Sequence, residues 1–149
     1  TTQDGDRVVT GLDLRANKLS GSLPPEIILL KQSLVTLKLG NNDLVNDGKE
    51  GNAFLGQLTA LEHLSVGQTY FENDGIPTEI GLLTNLVTYE ADSNSYDGPL
   101  KGETFTNLQK LTSLIIGGNS YNSPVPTQIA NLPLLTTFHV ENSNVTGDL

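Results

Sequence analysis

A unit of about 25 residues recurs along the 149-residue chain. Its leading part reads VTGLDLRANKL in the first copy and LVTLKLGNNDL in the second, with apolar residues at positions 1, 4, 6 and 11. Successive copies begin 25, 27, 25, 25 and 24 residues apart. A fixed period in this range is typical of a solenoid, in which each unit forms one coil and buries its apolar edge against its neighbours. The copies begin at Val9, Leu34, Leu61, Leu86, Leu111 and Leu135, and the last one is incomplete.

The apolar positions 4 and 6 of each unit are two residues apart, which is the spacing of side chains on one face of a strand. Both side chains would therefore point into a core. Stacked units would align these strands in one parallel sheet. The predicted inward pairs are Leu12/Leu14, Leu37/Leu39, Leu64/Val66, Tyr89/Ala91, Leu114/Ile116 and Phe138/Val140. On the return side of the coil, polar and Pro-rich turns suit short 3₁₀ segments. The residues expected to close the core there are Ile27, Phe54, Ile80, Phe105 and Ile129.

Position 9 carries an asparagine in four of the six units: Asn17, Asn42, Asn94 and Asn119. A buried amide side chain both donates and accepts, so it can satisfy the backbone where the chain turns off the strand. Thr69 and Ser143 stand at this position in the third and sixth units, where a hydroxyl can do part of the same work. We therefore predict a structural role for these residues and no role in ligand binding.

The unit resembles the leucine-rich repeat family, which reads L-x-x-L-x-L-x-x-N-x-L. The continuations LSGSLPPEIILL and SPVPTQIANLPLL resemble the plant-type subclass of that family. The resemblance runs from Val9 to Leu149 and implies a right-handed arc of about six coils. It implies a parallel sheet on the concave side and 3₁₀ or irregular segments on the convex side. The whole of 1–149 would then form one domain, with 1–8 as a cap-like segment before the first repeat.

Two repeats depart from the plant-type pattern. In the second, VNDGKEGNAF replaces the proline motif, and in the fourth, DGPLKGETF moves the proline ahead of the leucine. The stretch Val45–Asn52 is polar and contains two glycines, so we predict a solvent-exposed loop that bulges from the solenoid.

The chain carries a formal net charge of −9. This charge argues against nucleic acid and against anionic membranes as partners. The sequence has no Cys, which excludes disulfides and thiolate metal sites. It also has no apolar run of the roughly 20 residues that a membrane-inserted helix needs. The resemblance implies an extracellular or cell-surface protein, and Asn144-Val145-Thr146 is a candidate glycosylation site.

The outward positions 3, 5, 7 and 8 of each unit would face a partner on the concave side, the usual binding surface of a solenoid. Ile115 is an apolar side chain beside Gly117 and Gly118, and it is either a contact centre or an ordinary exposed apolar residue. The charged residues either bind a partner or simply solvate the sheet. The candidate binding residues are Arg15, Lys38, His63, Ser65, Glu90, Asp92, Ile115, His139 and Glu141.

The resemblance implies a non-catalytic recognition module with no cofactor. Its partners would most often be proteins or peptides and less often polysaccharides. A structural role in a larger surface or wall protein is the alternative. A glycan- or ice-binding ladder at position 3 is a more distant one, because Gly11 and His63 interrupt its row of hydroxyls.

Catalytic and metal sites fit the spacing poorly. His63 and His139 lie three strands apart, roughly 14 Å, so they cannot share a metal or a proton. His63 and Ser65 are two apart on one strand face, too far for the hydrogen bond of a nucleophile to its base. Glu90 and Asp92 have a spacing that suits a glycosidase pair, but they would lie on an open surface. In Asp92–Gly98 the glycine comes one place late for a calcium loop.

The sequence NVTGDL stops in mid-repeat at Leu149. Leu135, Phe138, Val140 and Val145 would then line an open-edged coil, and such an edge invites pairing with another chain. We therefore expect either a piece of a longer array or self-association through this end.

Overall fold

In the computed structural model, which describes residues 7–46 and 52–147, strands and short helices alternate along the chain. The strands are β1 Gly11–Asp13, β2 Ser20–Ser22, β3 Thr36–Lys38, β4 Asp43–Val45, β5 His63–Ser65, β6 Glu72–Asn73, β7 Thr88–Glu90, β8 Ser95–Tyr96, β9 Ser113–Ile115 and β10 Thr137–His139. The 3₁₀ segments are Pro25–Leu30, Ala53–Gln57 and Thr78–Leu82, and the single-turn α-helices are α1 Gly102–Phe105 and α2 Thr127–Ala130.

One parallel sheet holds one strand from each coil, in the order β1-β3-β5-β7-β9-β10. Its register follows the repeat, since Leu12 pairs with Leu37, Leu37 with Leu64 and Leu64 with Tyr89. The structure therefore has the predicted arc of coils with a parallel sheet. Beyond the strands, β2 pairs with β4 and β6 pairs with β8, and these short parallel pairs form a second, narrower ladder along the flank of the solenoid.

The inward side chains of the four middle coils form the core. Leu37, Leu64 and Leu114 are 0% exposed, and Tyr89 is 1% exposed. Each fully buried side chain of this size stabilises the fold by roughly 2–3 kcal/mol. No single coil can bury these groups alone, so the coils are stable only as a stack.

The return segments close the core on the convex side, as expected. Ile80, Phe105 and Ile129 are buried, whereas Ile27 and Phe54 are partly buried. Pro25 is the first residue of the Pro25–Leu30 segment, where the fixed φ of proline suits a first helical turn and its missing N–H costs nothing. The expectation of 3₁₀ segments holds in three coils, and the last two return segments form a single α-helical turn instead.

The two terminal coils are less well buried than the middle ones. Leu12 and Leu14 in the first coil are only partly buried, as are Phe138 and Val140 in the last. Val145 is 36% exposed. Self-association through the last coil stays a prediction.

The prediction of an exposed loop at Val45–Asn52 is correct about exposure at Val45, which is 40% exposed, but wrong about its conformation, and it is wrong about exposure at Asn52. Val45 belongs to β4 and forms a bridge with Tyr70. Asn52 is 4% exposed, and its amide donates to Asn46 Oδ1 over 2.7 Å. The polar composition misled because the amide of Asn52 finds a partner inside the protein. The rest of the stretch, 47–51, lies outside the described residues.

Candidate functional site

The turn after each strand is held by the residue at position 9. Asn42 is buried, and its Oδ1 accepts from the backbone N–H groups of Asn17 and Leu19, both at 3.0 Å. Its Nδ2 donates to Leu14 O and to Leu39 O, at 2.9 and 2.7 Å. The side chain thus joins its own coil to the preceding one, which a simple turn residue would not do.

The same bonds recur further along the stack. Asn94 accepts from Thr69 and Phe71 and donates to Val66 O, and Asn119 accepts from Tyr96 and donates to Ala91 O. The hydroxyls do part of the work: Thr69 Oγ1 has two acceptors within reach of its one proton, Asn94 Oδ1 at 2.6 Å and Val66 O at 3.2 Å. Ser143 Oγ accepts from the N–H of Asn119 and donates to Glu141 O.

Asn17 is the exception. It is exposed, and its side-chain hydrogen bond within the described residues runs from Nδ2 to Arg15 O in its own coil. The predicted burial of this asparagine is therefore wrong. The physical reason is that position 9 bridges to the preceding coil, and the described chain before Val9 forms no strand for Asn17 to bridge to.

Position 8 has a conformational role that the sequence reasoning missed. The backbone φ there is positive in every coil, at values between 53° and 67°. Only glycine adopts this region without cost, and asparagine tolerates it better than most residues. The signal was in the sequence, because half of these residues are Gly or Asn. They are Ala16, Asn41, Gln68, Ser93, Gly118 and Asn142.

Glycines at position 7 let neighbouring coils approach closely. A Cβ on Gly67 would lie within 2.3 Å of Asp92 Oδ1, and one on Gly117 within 3.0 Å of Glu141 Cδ. The carboxylates of Asp92 and Glu141 therefore lie over the neighbouring glycines. Any larger residue at Gly67 or Gly117 would displace them.

A depression of about 610 Å³ lies on the concave face of the first four coils. It brings together four of the nine predicted binding residues, namely Arg15, Ser65, Glu90 and Asp92. Gly67 and the buried Ser65 form part of its floor. The other lining residues are Asp13, Ala16, Asn41 and Gln68. We call this surface the concave depression.

The positive side of the concave depression is internally paired. The guanidinium of Arg15 donates to both carboxylate oxygens of Asp13, over 2.9 and 2.7 Å. This hydrogen bonding lowers the pKa of Asp13 to about 2. Glu90 and Asp92 form no ion pair within residues 7–46 and 52–147. The side chains left to attract a partner by charge are therefore the two carboxylates.

The other predicted residues lie outside the concave depression. Lys38 and His63 are partly buried on the neighbouring strands, and His63 Nδ1 lies 3.0 Å from Thr88 Oγ1. Ile115 pairs between Glu90 and His139 in register and is only partly exposed, so it is a weaker apolar anchor than expected. Glu141 lies on the last coil. Ser65 is 8% exposed, so its hydroxyl offers a partner little surface.

The described residues do not form a calcium loop or another metal site. The Oδ1 of Asn94 within Asp92–Gly98 accepts hydrogen bonds from Thr69 and Phe71, so it is engaged in the turn and not free for a cation. Residues 7–46 and 52–147 contain no group of three metal-ligating side chains. In the same part of the chain, no helix has the length and apolar character to cross a bilayer.

The comparisons with known proteins agree with this architecture. No family model matches the chain. Receptor-like protein 35 of Arabidopsis thaliana is 34% identical over 117 residues, which are 78% of this chain and 11% of that protein. The leucine-rich repeat ectodomain of the Arabidopsis thaliana receptor kinase GASSHO1/SCHENGEN3, solved with CASPARIAN STRIP INTEGRITY FACTOR 2, superposes with a TM-score of 0.86 at 27% identity, over 95% of this chain and 16% of that one.

The chain is a leucine-rich repeat protein of the plant-type subclass. A second solved structure, the plant peptide hormone receptor RGFR1 in complex with RGF2, has a TM-score of 0.83 at 28% identity and covers 91% of this chain and 21% of that one. The chain spans only 11–13% of the length of its first curated relatives. The likeness therefore concerns a stretch of coils within much longer proteins.

Proposed function

We propose that this leucine-rich repeat segment binds a peptide, or an extended segment of a protein, in the concave depression. The observation that carries the proposal is the pairing pattern of its charges. Arg15 is neutralised by Asp13, while the carboxylates of Glu90 and Asp92 have no cationic partner among the described residues. A partner that supplies one or two basic side chains would complete the charge pattern.

The floor of the concave depression suits an extended backbone. Gly67 and the buried Ser65 present little side chain, so a bound strand can approach the sheet closely. The similar solved structures support a peptide as the partner, because one is a complex of a peptide hormone receptor. Receptor-like relatives also support an extracellular or cell-surface location. Asn144, the candidate glycosylation site, is exposed, as the attachment of a glycan requires.

The test is selection of a random-peptide display library on the intact chain, followed by affinity measurement in a charge-neutral variant. We expect the selected peptides to be rich in Lys and Arg. Glu90→Gln/Asp92→Asn should weaken their binding by at least about tenfold, the equivalent of 1.4 kcal/mol.

The matched control is Glu26→Gln/Glu103→Gln, which changes the net charge equally but lies on exposed convex segments. Its affinity should stay close to that of the parent chain. Equal losses in the two variants would mean that net charge, and not this site, attracts the peptide. Selection of no peptide at all would favour the structural alternative.

A further inference from the structure

A second depression, of about 300 Å³, lies where the chain leaves the concave sheet. Its volume is at the lower end of the range for small-ligand pockets. It is lined by positions 8, 9 and 10 of the first four coils. The lining residues are Lys18, Asn41, Asn42, Asp43, Gln68, Thr69, Tyr70 and Ser93. We call it the flank pocket.

The floor and the rim of the flank pocket differ in how their polar groups are used. Asn42 and Thr69 form the floor, and both are buried and engaged in the turn bonds between coils. The rim side chains are exposed, and within residues 7–46 and 52–147 none of them makes a hydrogen bond or an ion pair. The rim therefore offers amide, carboxylate and ammonium groups that the fold does not use.

Tyr70 is the unusual member of the rim. It is 58% exposed, whereas Tyr89, Tyr96 and Tyr121 are buried to within 2%. Position 10 holds a polar or charged side chain in the five other coils. The fold does not require an aromatic ring at this position, and its apolar face stays in water until something covers it.

The rim is held in a fixed geometry. Asn41, Gln68 and Ser93 lie at the left-handed turn position, and their backbones are tied to the neighbouring coils through hydrogen bonds to Gly67 O, Asp92 O and Gly117 O. A ligand would therefore meet side chains whose starting points are already in place, which reduces the entropy cost of binding.

We propose that the flank pocket binds a neutral sugar residue of an oligosaccharide. The C–H face of a sugar ring packs against an aromatic side chain, and its hydroxyls both donate and accept, as do the amides of Asn41 and Gln68. Asp43 accepts from a hydroxyl and Lys18 donates to one. The net charge of −9 disfavours an anionic ligand such as a nucleotide or a polyuronide. The polar rim disfavours a purely apolar one.

The test is an NMR titration of the intact chain with cellotetraose, mannotetraose, xylotetraose and a galacturonic acid tetramer. The readout is the amide signals of residues 42, 43, 69 and 70, which line the flank pocket and not the concave depression. We expect saturable shifts with at least one neutral tetrasaccharide. Tyr70→Ala should weaken that binding by at least about tenfold, whereas Tyr70→Phe, which keeps the ring, should change it by less than about threefold.

Asp92→Asn is the control for the concave depression, because Asp92 does not line the flank pocket. It should leave sugar binding unchanged, so failure of peptide binding and failure of sugar binding are separable. The absence of shifts with every neutral sugar at about 10 mM would overturn the proposal. So would binding that survives Tyr70→Ala, or a preference for the galacturonic acid tetramer.

Discussion

Asn17 and Asn42 are the same residue at the same position of consecutive repeats, yet the protein uses them differently. Asn42 is 5% exposed, and its side chain bonds to both its own coil and the one before it. Asn17 is exposed and bonds to its own coil. The leucines show the same contrast, with Leu37 fully buried and Leu12 only partly so. A repeat position therefore acquires its energetic value from the neighbouring coil and not from its own residue type.

The largest predicted effect is a loss of stability at alkaline pH, which arises from phenols buried in the middle coils. Burial raises the pKa of Tyr89, Tyr96 and Tyr121, all in the middle coils, above the ordinary value of 10.0. An unfolded chain ionises its phenols near pH 10, whereas the folded chain does so only at higher pH. The contribution of these three phenols to stability should therefore be constant well below pH 10 and fall above it, by about 1.4 kcal/mol per buried phenol and pH unit.

Urea unfolding at pH 8, 10 and 11 measures this loss. Tyr96→Phe should remove about a third of it, whereas Tyr70→Phe, at an exposed tyrosine, should leave the slope unchanged. An equal effect of both variants would show that the middle coils do not protect their phenols.

Truncation of a core leucine should separate the middle from the end of the stack. Leu64 is 0% exposed, so Leu64→Ala should reduce the free energy of unfolding by about 3–4 kcal/mol. Leu12 stands at the same repeat position in the partly buried first coil, and Leu12→Ala should cost only about 1 kcal/mol. Urea midpoints of the two variants provide the comparison, and similar losses would contradict it.

Loss of a position-9 asparagine should also destabilise the protein more in a middle coil than in the first coil. Asn119→Ala deprives four backbone groups of their side-chain partner at once, so it should reduce the free energy of unfolding by about 2–3 kcal/mol. Asn17→Ala should cost less than about 0.5 kcal/mol, because its backbone partner is already accessible to water. The measurement is equilibrium unfolding in urea. An unchanged urea midpoint in Asn119→Ala would contradict the proposed role of position 9 in the turn.

The smallest effects are expected at the left-handed position 8. A Cβ on Gly118 would lie 3.2 Å from Ser93 Cα, and φ there is +67°, so Gly118→Ala should cost about 1–2 kcal/mol. Ala16 has the same conformation in the open first coil, and Ala16→Gly should stabilise by about 0.5 kcal/mol. Thermal melts measure both changes, a lower Tm for Gly118→Ala and a higher Tm for Ala16→Gly. Destabilisation by Ala16→Gly would mean that its left-handed φ carries little strain.

Much of this architecture was predictable from the sequence, because the period sets the register of the sheet. The pairing of Leu12 with Leu37 and the inward leucines follow directly from it. The terminal coils were less predictable, since burial at Asn17 depends on a neighbour and not on the residue. The Asp13–Arg15 pair was not predicted, because its outward repeat position made Arg15 a candidate binding residue without regard to its neighbours. The exposed ring of Tyr70 was not predicted, because the sequence alone does not show which face of the coil this side chain takes.

Native-state hydrogen exchange in Asn94→Ala tests most directly whether position 9 holds one coil to the next. The amides of Thr69 and Phe71 donate to Asn94 Oδ1, at 3.2 and 3.3 Å, while the amide of Tyr70 between them donates to Leu44 O at 2.8 Å. We expect exchange at Thr69 and Phe71 to accelerate at least about tenfold more than exchange at Tyr70, because only the first two amides lose their acceptor. Equal acceleration of all three amides would contradict the account, since it would mean that the asparagine stabilises the protein as a whole without holding these two groups.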